Sequence, residues 1–63
     1  MTENQREIQA RLRELEDMKA LLEEARGHAR SIGGIDGERI EAEIKTTLRQ
    51  VNRLAADLRA FLP

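Results

Sequence analysis

Cysteine, tryptophan and tyrosine are absent from this chain; Phe61 is its one aromatic residue and Pro63 its one proline. Without cysteine, neither a disulfide framework nor a thiolate metal site can reinforce a thin core. Without more aromatic rings there is no platform for stacking bases and no material for an aromatic pocket. No apolar run approaches the ~20 residues of a membrane span. The segment Met1-Thr2-Glu3-Asn4 lacks the basic and apolar blocks of a secretory leader. These absences lead to the expectation of a cytoplasmic protein with no membrane partner. The excess of arginine over lysine, with abundant alanine, points to a bacterial or phage source.

What is present fits one small domain. The 63 residues are 40% apolar and 37% charged, and a chain near this size buries only roughly 60% of the surface that its unfolded form exposes. Net charge is −1, which gives no overall pull towards nucleic acid or an anionic membrane. The charge is unevenly placed: residues 1–43 carry −4, whereas residues 44–63 carry Lys45, Arg49, Arg53 and Arg59 against Asp57 alone.

Punctuation is concentrated in Ser31-Ile32-Gly33-Gly34-Ile35-Asp36-Gly37. On either side the chain is rich in Ala, Leu, Glu and Arg, all strong helix formers. The expected fold is therefore all-α: an antiparallel hairpin with helix 1 over about 3–32, a loop over about 33–36 and helix 2 over about 37–62. Thr2 and Gln5 have capping-box spacing. Gly33 or Gly34 suits the left-handed closure of a helix. Asp36 is the expected N-cap of helix 2, with Ile35 and Ile40 spaced as a hydrophobic staple. Gly27 is the weak point of helix 1. Ala25, Ala29 and Ile32 keep the apolar spacing past it, so the helix is expected to continue.

Both helices carry a wide apolar face, described here by heptad letters. In helix 2, Ile44, Val51 and Leu58 occupy a; Ile40, Thr47, Leu54 and Phe61 occupy d; Leu48, Ala55 and Leu62 occupy e. In helix 1, Ile8, Leu15, Leu22 and Ala29 occupy a, and Arg11, Met18, Ala25 and Ile32 occupy d, with Leu12 flanking one side and Leu21 the other. Three apolar positions in seven make a bundle face rather than a narrow two-stranded seam. Val51, Leu54 and Leu58 are expected to be among the most buried residues. The row left outside the hairpin, exemplified by Leu21, Leu48 and Leu62, is expected to face a partner. Pairing of two hairpins into a four-helix homodimer is the simplest way to cover it. The expected interface set is Leu12, Leu15, Met18, Leu21, Leu22, Ile44, Leu48, Val51, Leu54, Leu58, Phe61 and Leu62.

Site chemistry is sparse. Ser31 has neither a histidine pair nor a nucleophile-elbow pattern around it, so no catalytic residues and no enzyme activity are expected. His28 and Glu24 lie one turn apart, but two ligands make a poor metal site. Asp36-Gly37 with Glu43 imitates the end of an EF-hand loop, yet Ile32 and Gly34 fall where the first ligands belong. Gly33-Gly34 lacks the lysine and serine of a phosphate loop. No metal, cofactor or small-molecule substrate is expected. Lys45, Arg49, Asn52 and Arg59 share the b/f stripe of helix 2, and Lys45, Arg49 and Arg59 are the candidates for contact with nucleic acid. The neighbouring Glu38, Glu41, Glu43 and Asp57 make a solvated face the simpler reading. In length and hairpin pattern alone the chain resembles RNA-binding four-helix dimers that control plasmid copy number, the hairpin ribosomal protein of the large subunit, and type III secretion co-chaperones; no motif ties it to any of them. The reading is a non-catalytic protein-interaction module (a small adaptor, co-chaperone or regulator) that pairs with itself and with another helical protein. The alternative is a small dimeric RNA-binding regulator using the basic stripe.

Overall fold

The structure, a computed structural model, describes residues 2–63 as two helices in contact and no strand. Helix α1 spans Glu3–Ile32 and helix α2 spans Gly34–Arg59. The capping box at the start of α1 is formed: the Gln5 N–H donates to Thr2 Oγ1 (3.2 Å) and the Thr2 N–H donates to Gln5 Oε1 (3.0 Å). Two amides that the helix leaves without intrahelical partners are thereby satisfied. Helix α1 runs unbroken through Gly27, where a Cβ would meet nothing within 4 Å.

The turn is tighter than the expected four-residue loop. Gly33 alone separates the helices, and Gly33 and Gly34 both adopt positive φ, at 68° and 63°. Only glycine enters that region without a Cβ penalty. The Gly33 N–H closes α1 on the Ala29 carbonyl (3.2 Å), and the Gly33 carbonyl accepts from the Gly37 N–H (3.0 Å) to open α2. One glycine thus caps both helices. Helix α2 consequently begins at Gly34 rather than about residue 37. Asp36 is not its N-cap but a first-turn residue, paired with Arg39 at 3.6 Å. Ile35 is 84% exposed, so the expected staple with Ile40 does not form. At the other end α2 stops at Arg59 instead of 62. The Phe61 and Leu62 N–H groups donate to the carbonyls of Leu58 and Arg59 in tighter i→i+3 turns, as suits a chain entering Pro63.

The helices meet along their a and e rows. In α2, Gly37, Ile44, Leu48, Val51 and Ala55 are buried and Leu58 is half-buried, as is Leu62 beyond the helix end. In α1, Ala29 is buried and Ile8, Leu12, Leu15 and Leu22 are half-buried. Leu22 packs on the cluster formed by Ala29, Ile44 and Leu48. Successive seam positions therefore alternate steps of four and three residues, the repeat of two helices wound about each other. This corrects the expectation for Leu54. It is 50% exposed, in the d row, whereas Leu48 is only 6% exposed and belongs to the core.

Candidate protein-interaction surface

With the a and e rows turned inwards, helical geometry fixes what lies to either side. At 3.6 residues per turn the b rows sit about 80° to one side of the seam and the d rows about 80° to the other. An ion pair marks the b side. Glu16 of α1 and Arg59 of α2, both b residues, meet across the helices at 3.5 Å. The two d rows therefore share the opposite flank.

Glu41, at the edge of the seam, strengthens the b side. Its Oε1 accepts from Arg30 Nε at 2.8 Å and lies 3.7 Å from Arg26 Nε and 3.9 Å from Lys45 Nζ. The carboxylate of Glu41 is held below its ordinary value, first by the Arg30 hydrogen bond and then by the nearby positive charges, against the opposing effect of burial. A carboxylate whose folded pKa is depressed stabilises the fold above the unfolded glutamate range, and that stabilisation is lost as pH falls through the lower folded value. Thermal unfolding of the wild type is accordingly expected to lose more stability between neutral pH and pH ~3 than Glu41→Gln does. Parallel pH profiles for the two proteins would show that the clasp contributes nothing. Arg26 and Lys19, charged residues at e positions, are half-buried beside the seam, which long side chains with aliphatic stems tolerate.

The d side is apolar. Met18 and Ile32 from α1, Ile40 and Leu54 from α2 and Phe61 in the turn that follows it are all exposed, and Leu21 lies beside them at 66% exposure. Thr47, the polar member of the row, donates its hydroxyl to the Glu43 carbonyl at 3.0 Å. It is exposed rather than set in the core. Arg11 spans Glu7 (3.7 Å) and Glu14 (2.8 Å) near the open end.

The residues expected at an interface therefore divide into two groups. Leu12, Leu15 and Leu22 of α1, with Ile44, Leu48, Val51 and Leu58 of α2, are spent on the intramolecular seam, and Leu62 lies half-buried at its end. Met18, Leu21, Leu54 and Phe61 remain on the outer flank. Leu48 and Leu62, expected outside, are not part of the exposed row.

The basic stripe is also redistributed. Lys45 faces Glu41 and Arg59 faces Glu16, whereas Arg49 forms no ion pair among the described residues. Arg6 and Arg13, at f positions of α1, join the same side; the helix 2 stripe read alone did not include them, although their spacing of seven was visible. Compared with known proteins, the chain matches no family model, no curated protein and no solved structure.

Proposed function

We propose that the hairpin is a non-catalytic protein-interaction module that works by burying its apolar d flank, and that a second copy covers this flank to give a four-helix homodimer. The observation that carries the reading is surface area. A compact monomer of 7.2 kDa exposes about 4,100 Å² by the usual mass scaling, and this chain exposes 5024 Å². The excess, about 900 Å², is close to the ~800 Å² that each partner contributes to a standard interface. Of the large apolar side chains that remain exposed, Met18, Ile32, Ile40, Leu54 and Phe61 fall on the d flank and Leu21 beside it, and Ile35, next to the turn, is the one on the other side; that clustering is the pattern of an interaction site rather than of scattered surface residues. An adaptor, co-chaperone or regulator in the cytoplasm is the role that suits such a module.

Sedimentation equilibrium tests it. The wild type is expected at twice the 7.2 kDa chain mass. Leu54→Glu, which sets a charge in the flank, is expected to weaken association by at least tenfold, about 1.4 kcal/mol. Helicity should be kept because Leu54 lies outside the seam. A cooperative wild-type monomer would sink the dimer, and an unchanged dimer in Leu54→Glu would move the interface elsewhere.

One observation favours a second reading, a dimeric RNA-binding regulator. The b and f rows of both helices carry Arg6, Arg13, Arg30, Lys45, Arg49 and Arg59 against Glu16, Glu23 and Glu38, or +3. Replacing Lys45, Arg49 and Arg59 by glutamine separates the readings. Loss of RNA binding, with a flatter salt dependence, supports phosphate contact; retained activity in that variant supports the apolar flank.

A further inference from the structure

We infer that the working occupant of the apolar flank is an amphipathic helix whose apolar stripe is bordered by lysine and arginine, and that this helix displaces the second copy. The inference rests on the reading of the d flank as an interaction surface and adds the chemistry of the partner.

Charge carries it. The g rows form the outer border of the d flank on each helix. They hold Glu7, Glu14, Asp36, Glu43 and Asp57 and no lysine or arginine. Within the d rows only Arg11 opposes them, so the apolar flank with its borders carries −4 while the opposite flank carries +3. The hairpin is polarised across its seam, a feature hidden by the net charge of −1. Arg11 is already engaged by Glu7 and Glu14, and Asp36 by Arg39; Glu43 and Asp57 have no ion-pair partner among the described residues.

A second copy is a poor match for that border. Two d flanks brought together, in either orientation, set ten carboxylates around one interface, offset by two Arg11 side chains and, at Asp36, by two Arg39 side chains, which leaves both copies of Glu43 and Asp57 without a cation among the described residues. Like charges at a rim slow encounter and disfavour the complex, whereas opposite charges do the reverse. A helix with basic borders keeps the apolar contact and replaces repulsion by attraction. The shape suits it as well. The two d rows run side by side along a hairpin 49 Å long, the form of a groove that receives one helix and reads its anchors at helical spacing. A partner segment of ~25 residues, about 37 Å long, would lie within it.

The probes are three synthetic peptides of about 25 residues. One has a Leu/Ala stripe bordered by lysine, the second has the same stripe bordered by glutamate, and the third is the lysine peptide in scrambled order. Binding to the full chain is followed by fluorescence anisotropy, and the mass of the chain by sedimentation. The lysine-bordered helix is expected to bind at least tenfold more tightly than the glutamate-bordered one at low salt, and to convert the dimer into a complex of one chain with one peptide. That preference should shrink as salt rises and shortens the range of the charges. Glu43→Lys with Asp57→Lys should reverse it, and Leu54→Ala with Phe61→Ala should abolish binding of the lysine peptide.

Equal binding of the two stripes, or equal binding of the scrambled peptide, overturns the inference. If neither stripe binds and the chain stays dimeric, the second copy is the occupant: the inference fails and the interaction reading survives. If neither binds and the chain is a folded monomer, both fail.

Discussion

Leu48→Ala is expected to destabilise the protein by about 2–5 kcal/mol, the range for truncating a buried leucine. Leu48 is 6% exposed and shares the cluster of Ala29 and Ile44, against which Leu22 packs. A hairpin core of this size supplies no more than roughly 3–5 kcal/mol. The substitution thus removes most or all of the stability of an isolated hairpin. The informative control is Leu54→Ala, one turn and a half further along and 50% exposed. In urea titrations at several protein concentrations, Leu48→Ala should lower the midpoint at every concentration. Leu54→Ala should instead reduce its concentration dependence, because loss at an intermolecular contact acts through mass action. A larger loss for Leu54 than for Leu48 at the lowest concentration would mean that the hairpin closes on its a and d rows in solution. The same contrast governs the choice of interface variant. Leu48→Glu would bury a carboxylate in the seam and unfold the chain, so it reports on folding and not on partner binding.

The two helices and their reversal were legible because each local signal had one physical solution. Thr2 and Gln5 satisfy each other's amides, and a pair of glycines between two strong helix formers has few other uses. The apolar rows named the face of each helix but left open which two of the three rows close on each other. In α2 the d row offers Ile40, Leu54 and Phe61 and the e row offers Leu48, Ala55 and Leu62, nearly equal in apolar content. In α1 the balance points the wrong way, since Met18, Ala25 and Ile32 at d are more apolar than Leu12, Lys19 and Arg26 at e. Two features outweigh that balance. Thr47 interrupts the d row of α2, whereas its e row is apolar from Leu48 onwards. Arg26 and Lys19 are half-buried at e, and Arg26 comes within 3.7 Å of Glu41. A signal for this was present: Arg26 lies seven residues before Gly33 and Glu41 eight after it, nearly equidistant from the turn and of opposite charge. Reading it required the turn to be Gly33 itself, and the expected Asp36 cap displaced the turn by enough to hide the pairing. The acidic border of the d flank was hidden for a different reason. Its five carboxylates are divided between two helices, and they form one edge only after the hairpin closes.

The two internal helical glycines should respond to alanine with opposite signs, which makes them the sharpest test of how closely the helices approach near the turn. At Gly27 an added Cβ would meet nothing within 4 Å, and replacing a helical glycine by alanine is worth roughly 0.5–1 kcal/mol. Gly27→Ala should therefore stabilise the protein by about that amount. At Gly37 the same Cβ would fall 2.6 Å from the Ala29 carbonyl oxygen, with the Ile32 and Ala29 carbonyl carbons at 3.6 and 3.7 Å. The obstacle is backbone, so no side chain can swing aside. The turn gives little slack either, since Gly33 alone separates the helices and its carbonyl is tied to the Gly37 N–H at 3.0 Å. Relief requires the helices to part at this end, loosening the layer of Ala29, Ile44 and Leu48. Forced overpacking of this kind costs about 1–3 kcal/mol, enough to exceed the helix-propensity gain. Gly37→Ala should lose about 1 kcal/mol net and Gly37→Leu about 3 kcal/mol or more, which leaves little of a fold this small. The measurement is the midpoint of urea unfolding for the three variants under one set of conditions. Stabilisation by Gly37→Ala equal to that by Gly27→Ala would mean that the backbones of α1 and α2 stand further apart than the Ala29–Gly37 contact requires, and the seam would have to close on a different layer.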